Sequence, residues 1–191
     1  KQQRNKTFVI GWIGAYGGDN KHSLHAFIFP ALKLLSFPCK FILVGVNEEI
    51  EREWIKQYFK NSPFVEIEIP LSVDWNNEKE IQMRIANFDI GIATLMHTSY
   101  QLSKSGIKAK QYLNNGVPVL SSNLPENNNF VVHGRNGYFC SSINEFHCRL
   151  TEFYRMSNDE YLQFSINARQ SITYFDHHNF FKTLNEIKLK Q

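Results

Sequence analysis

The sequence has no long apolar run, and every hydrophobic stretch falls well short of the roughly 18 residues a membrane helix needs. No secretory leader pattern is evident either, so a cytosolic location is expected. Cysteine is scarce. Cys39, Cys140 and Cys148 form an odd set with neither metal nor redox spacing, which argues against a disulfide framework or a thiolate zinc site. They read as small buried residues of a reducing compartment. Charge of one sign is also scarce, with a formal net charge of only +3 and a sequence pI near 8.7. Without a Lys/Arg run or basic stripe, a nucleic-acid partner is not expected. The mild excess suits an anionic ligand, or peripheral contact with an acidic membrane face. Repeats and low-complexity linkers are lacking too, so the 191 residues read as one domain, residues 1–174, with a C-terminal helix at 175–191.

What is present is an alternation of short apolar runs with amphipathic stretches. Strands are expected at Phe8–Ile13, Lys40–Val46, Phe64–Ile69, Phe88–Leu95, Val117–Ser121 and Gly137–Cys140. Between them, helical spacing is carried by Leu24, Phe27, Ile28, Leu32 and Leu35, then by Glu48–Lys60, Asn77–Ala86 and Gly106–Asn115. Gly116 is expected as a left-handed cap, and one helical turn is expected at Phe130–His133. From Ile143 the pattern is helical, and Ser157 offers an N-cap for a helix running to Ile172. Such alternation predicts a doubly wound, Rossmann-like α/β fold, a parallel sheet of about six strands with helices on both faces. Ligands of such sheets bind beyond the carboxyl ends of the strands. The loops after Ile13 and after Leu95 therefore matter most.

The first loop closes the run Gly11–Gly18 (GWIGAYGG). Glycine there lets backbone amides approach a phosphate closely, and the following helix adds the positive end of its dipole. Spacing of three between Gly11, Gly14 and Gly17 fails the dinucleotide fingerprint, and no acid ends the second strand, where Val44-Gly45-Val46 leads to Asn47. The second loop opens the run Lys104–Leu120 (KSGIKAKQYLNNGVPVL), followed by Ser121-Ser122 and then His133–Phe139 (HGRNGYF). Amides of Gly106, Ile107 and Lys108 would open a helix N-terminus, with Lys104 and Lys108 adding cationic charge.

These linked segments resemble the family-4 (group 1) glycosyltransferases of GT-B fold. That family shows a glycine-led phosphate loop, a helix of the form K-x-x-(E/Q)-Y-(L/M)-A-x-G, then P-V, then H-G-x-N-G. One subgroup opens its C-terminal domain with Gly-Trp-Ile-Gly, as at Gly11–Gly14, and has Asp-Ile-Gly-Ile, as at Asp89–Ile92. The resemblance covers essentially the whole chain, in the right order.

It implies the donor-binding, C-terminal half of a GT-B enzyme, moving a hexose from a nucleoside-diphosphate sugar to a sugar or lipid-linked acceptor with retention. The acceptor would be held largely by an N-terminal domain, toward which the helix at 175–191 would pack. No cofactor and no metal are implied, since cations of the protein stabilise the leaving diphosphate. Lys104 and Lys108 would take the catalytic part, beside the Gly106-Ile107 amides. Gly14 and Ala15 would line the other side of the phosphates, and Lys21 would add charge. Gln111 would hold the ribose, a position usually occupied by glutamate, and Val73 and Trp75 would lie near the base. Departures from the pattern are Ser103 and Asn129 where glutamates often stand, Asn114-Asn115 for a small pair, and Ala15 for arginine or serine.

Two other readings compete: a non-catalytic nucleotide-sugar-binding module and an NAD-dependent dehydrogenase domain. The histidine pairs His22/His25 and His177/His178 lack a convincing third metal ligand, and His133 reads as a turn contact. Trp12 is expected in the core, and the phenylalanines at helical spacing read as packing.

Overall fold

The computed structural model describes residues 6–173. The second expected unit, 175–191, lies outside the described residues. Six strands form one sheet in the order β3-β2-β1-β4-β5-β6, every neighbouring pair parallel. They are β1 (Phe8–Ile13), β2 (Cys39–Val44), β3 (Val65–Glu68), β4 (Ile90–Ala93), β5 (Val119–Ser121) and β6 (Gly137–Phe139). Strand order therefore reverses between β1 and β4, which opens a crevice above their carboxyl ends.

All six residues of β1 and all four of β4 are buried, as expected of strands covered on both faces. Alternation sorts β1 between two cores. Phe8, Ile10 and Trp12 enter one with Leu24, Phe29, Ile55 and Phe146. Val9 and Ile13 enter the other with Ile85, Tyr112, Leu113 and Ala168. The first face is thus covered by α1 (Gly18–Ser23), α2 (Phe29–Lys33), α3 (Glu49–Phe59) and α7 (Ile143–Arg155). The second is covered by α4 (Glu78–Ala86), α6 (Ile107–Asn114) and α8 (Asn158–Ile172); the short α5 (Ser99–Leu102) lies in the loop after β4.

The expected elements form, with three local differences. The first helix is one continuous run in which α1 passes through a π-helical stretch, Leu24–Ile28, into α2. Pro30 has no amide to donate to Ala26, and Phe29 N–H instead reaches the Leu24 carbonyl. Second, α5 carried too few apolar positions to show in the pattern; its start is fixed by Thr98, whose side chain accepts from Gln101 N–H. Third, the turn expected at Phe130–His133 lies upstream, as a 3-10 turn at Asn127–Asn129, while Phe130 and Val131 are buried in the second core.

Ser157 caps α8 as expected, in a full capping box with Glu160. Gly116 has φ +66, the left-handed conformation foreseen for it.

Candidate functional site

Helix α6 is aimed at the crevice by its own sequence. Tyr112, in the middle of α6, is fully buried with its ring on Gly91 of β4, where any Cβ would collide with it. Its hydroxyl accepts from Ile13 N–H (3.1 Å) and donates to the Ile92 carbonyl (3.1 Å), joining β1 to β4 where the strand order reverses. The N-terminus of α6 therefore opens beside the loop after β1. Gly106 precedes it with φ +58, and a Cβ there would lie 2.5 Å from Asn127 Oδ1 and 2.7 Å from the Phe130 ring. No described residue accepts from the backbone N–H of Ile107, Lys108 or Ala109. A helix start with such amides is an anion seat.

Lys108 spans the crevice. Its Cε packs against Gly14, where a Cβ would come within 2.7 Å, and its Nζ donates to Asn20 Oδ1 at 3.1 Å. The same ammonium stands 5.8 Å from the Trp12 ring centroid. Burial, with the charge of Lys104 as the lesser cause, pulls the Lys108 amine down from the usual lysine range to about 8. Lys104 lies over the Tyr100 ring at 5.1 Å. Further ties close the two loops on each other: Gln101 donates to Asp19, and Met96 N–H donates to Ser23 Oγ at 3.0 Å.

The floor of the first loop rests on β2. Gly14 N–H donates to the Val44 carbonyl (3.0 Å) and Tyr16 N–H to the Gly45 carbonyl (3.2 Å). Gly45, with φ +102, leaves no room for a Cβ between the Gly14 carbonyl and the indole of Trp75. Trp75 is 45% exposed, so one part of its ring is fixed beside Gly45 while another meets solvent.

The structure thus brings Gly14, Gly106, Ile107, Lys108 and Trp75 around one crevice, with Lys104 at its rim. Ala15 belongs to the same loop, its carbonyl accepting from Asn20 Nδ2 at 3.0 Å. Val73 packs against the second core beneath. Lys21 is placed differently from its expected role, because its ammonium is engaged by Glu51 at 2.5 Å. Gln111 lines a neighbouring cleft of about 370 Å³ between α4, α6 and the end of α8, with Glu78, Gln82 and Arg169. Asn20 and Asn127 went unnoticed in the sequence, and Gly45 was noted only as part of the end of the second strand. Asn20 lies in the short α1, Gly45 just after β2 and Asn127 in a 3-10 turn, segments too short to show a periodicity.

His25 is engaged by two aromatic neighbours. It bonds the Tyr16 hydroxyl at 2.6 Å and stacks on Trp54 at 4.6 Å, and burial lowers its pKa. Among the described residues no group of three or more His, Cys, Asp or Glu could hold a metal ion. His133 is the turn contact expected of it, accepting at Nδ1 from Phe139 N–H at 3.1 Å. No helix of the described residues is long and apolar enough to cross a membrane.

No family model matches the chain, and no curated protein matches it in sequence. Solved structures do match it in fold. HepE from Anabaena, solved with UDP-glucose, superposes with a TM-score of 0.71 at 17% identity over 97% of this chain and 50% of its own. Sucrose-phosphate synthase from Thermosynechococcus elongatus gives 0.72 at 12% identity, over 97% of this chain and 45% of its own. The C-terminal domain of LpcC, a group 1 family glycosyl transferase from Francisella tularensis, gives 0.65 at 14% identity, over 87% of this chain and 84% of that domain. The chain spans about half the length of the first two proteins. At these identities the likeness establishes the fold, a doubly wound Rossmann-like sheet of the kind found in C-terminal domains of GT-B glycosyltransferases.

Proposed function

We propose that the chain is the donor-binding domain of a glycosyltransferase resembling family 4, seating a nucleoside-diphosphate sugar in the crevice between β1 and β4. One observation carries this reading: Lys108 reaches from the amino end of α6 onto Gly14 at the point where the strand order reverses. A diphosphate placed there meets the α6 amides, the Lys108 ammonium and, at the rim, Lys104. As the glycosidic bond breaks, negative charge grows on the distal phosphate, and these donors stabilise it without rearrangement.

In this reading the base lies along Trp75 and Val73, and Gln111 holds the ribose from the adjoining cleft. Gly14 and Ala15 line the second side of the phosphates. Lys21, held by Glu51, contributes only to the field of the loop. Transfer of a hexose to a sugar or lipid-linked acceptor, with retention and without a metal, follows from the family resemblance. The acceptor would be bound by a second domain. Supporting the domain role are the fold likeness to the Francisella C-terminal domain and the UDP-glucose bound to the Anabaena protein.

The dehydrogenase reading lacks a place for its ribose acid. The residue that follows β2 is Gly45, covered by Trp75 and bonded to the first loop. A second reading, a binding module without transferase activity, is favoured by Ser103 and Asn129. Asn129 is exposed and bonds only Glu126 among the described residues, at 3.3 Å.

The test is a thermal-shift panel of UDP-, GDP- and ADP-sugars against NAD. One of the nucleotide sugars should raise the melting temperature while NAD does not. Stabilisation by NAD alone would refute the assignment. Donor hydrolysis by the chain joined to an acceptor domain, unaffected by a chelator, then separates the enzyme from the binding module.

A further inference from the structure

Helix α5 is turned inside out. Its buried side chain is Gln101, fully enclosed, while the neighbouring Tyr100 and Leu102 are 69% and 43% exposed. Burial alone would choose the reverse arrangement. The Oε1 of Gln101 also has no described donor, which makes burial of the amide unfavourable. Against this stands one contact. Gln101 Nε2 donates to the carboxylate of Asp19, at the start of α1 on the other side of the crevice. The seat of α5 is thus a polar bond rather than apolar packing.

That bond belongs to a set, in which three residues of α1 each hold a group on the segment from β4 to α6. Asp19 holds Gln101, Asn20 Oδ1 accepts from the Lys108 ammonium at 3.1 Å, and Ser23 Oγ accepts from Met96 N–H at 3.0 Å. Ser23 is itself fixed, its hydroxyl donating to the Asp19 carbonyl at 2.7 Å. The Gln101 carbonyl in turn accepts from Lys104 N–H at 3.2 Å, and Gly106 opens α6 two residues further on. The place of Gln101 therefore fixes the cation at the rim and the approach to the α6 amides. A diphosphate that draws Lys108 away from Asn20 breaks that link, and the contacts of Asp19 and Ser23 are left to hold the walls. Charge runs the other way, because a carboxylate beside an anion seat repels the ligand.

We propose, resting on the nucleotide-sugar reading above, that Asp19 and Gln101 are positioning residues for the donor, their bond setting the distance between the two walls of the crevice. Lys104 and the α6 amides then stand in place before the diphosphate arrives, and neither Asp19 nor Gln101 touches it. Such preorganisation raises affinity because the walls are ordered before binding and not during it.

Calorimetry on the whole chain tests this, with UDP, GDP and ADP titrated first on the wild type. The diphosphate that binds is then measured on two variants that remove the same charge. Asp19→Asn keeps a carbonyl oxygen for Gln101 Nε2, and Asp19→Ala does not. Asp19→Asn should bind at least as tightly as the wild type. Asp19→Ala should bind about fivefold or more weakly than Asp19→Asn, the worth of one hydrogen bond. Gln101→Leu occupies similar space without the bond, and should bind about fivefold more weakly than the wild type with a melting temperature no lower. Affinity lost at undiminished stability marks positioning, since a merely structural role lowers both together. Equal affinities for Asp19→Ala and Asp19→Asn overturn the proposal while leaving the nucleotide reading intact. Undiminished affinity in Gln101→Leu does the same, and the Asp19 pair decides alone if that variant does not fold. Failure of all three diphosphates to bind the wild type overturns the nucleotide reading itself.

Discussion

Raising the pH from 7 to 9 should weaken diphosphate binding through Lys108 alone. In the free protein the Lys108 amine is held near 8, chiefly because it is buried between Gly14 and Trp12 and secondarily because of Lys104. A bound diphosphate supplies the missing counter-charge and restores an ordinary or higher lysine pKa in the complex. The sign follows from proton counting. Below about pH 8 the amine is charged in both states, so binding takes up almost no proton. Above it the free protein has lost the proton that the complex keeps, so binding takes one up and affinity falls. At pH 9 only about one tenth of the free protein is charged at Lys108. The affinity should then be about tenfold lower than at pH 7, or roughly 1.4 kcal/mol. Titration calorimetry in two buffers of different ionisation enthalpy reads the uptake directly, about 0.9 proton per diphosphate at pH 9 and about 0.1 at pH 7. Lys108→Arg stays charged and should lose the break, while Lys104→Ala should move it to higher pH. An affinity that does not change between pH 7 and 9, or a break that survives in Lys108→Arg, refutes the reasoning.

Other substitutions probe the same geometry. Lys108→Ala should cost roughly 1.5–3 kcal/mol of diphosphate affinity, as loss of a charge-assisted contact does, measured by calorimetry at pH 7. Gly106→Ala sets a Cβ against Asn127 and Phe130 at a left-handed φ, and should destabilise the fold by about 1–2 kcal/mol or more in a denaturant titration. Tyr112→Phe strands the Ile13 N–H and the Ile92 carbonyl in the sheet interior. The expected loss is about 1–3 kcal/mol of stability, seen in the same titration. Trp75→Ala should weaken nucleotide binding but not that of inorganic pyrophosphate, because the indole sits beside the base path rather than at the α6 amides.

The fold was legible because the strands are short, continuous apolar runs separated by helical periodicity, a pattern that a sheet buried on both faces imposes. Phe8–Ile13 and the segment around Asp89–Ile92 could hardly be read otherwise. The position of the crevice followed from the same pattern, since Gly14 and Gly106 each break a strand-to-helix connection. What stayed hidden depends on side-chain direction. Nothing in the order Asp19-Asn20-Lys21 shows that Asn20 meets Lys108 while Lys21 turns to Glu51. Gln111 stands three residues from Lys108 on α6, yet the two side chains border different clefts, because a residue three positions on is rotated partway around the helix. The turn at Asn127–Asn129 was misplaced because three successive asparagines carry no periodic signal, and the one that points inward is told apart only by its contacts with Ser121 and Ser122.

A crystal structure of the chain soaked with the diphosphate that binds would settle where that ligand sits. The account predicts its distal phosphate within hydrogen-bond distance of the Ile107 and Lys108 amides, with the Lys108 ammonium transferred from Asn20 to a phosphate oxygen. A diphosphate found anywhere other than the crevice between β1 and β4, with the Lys108–Asn20 contact unchanged, would contradict it.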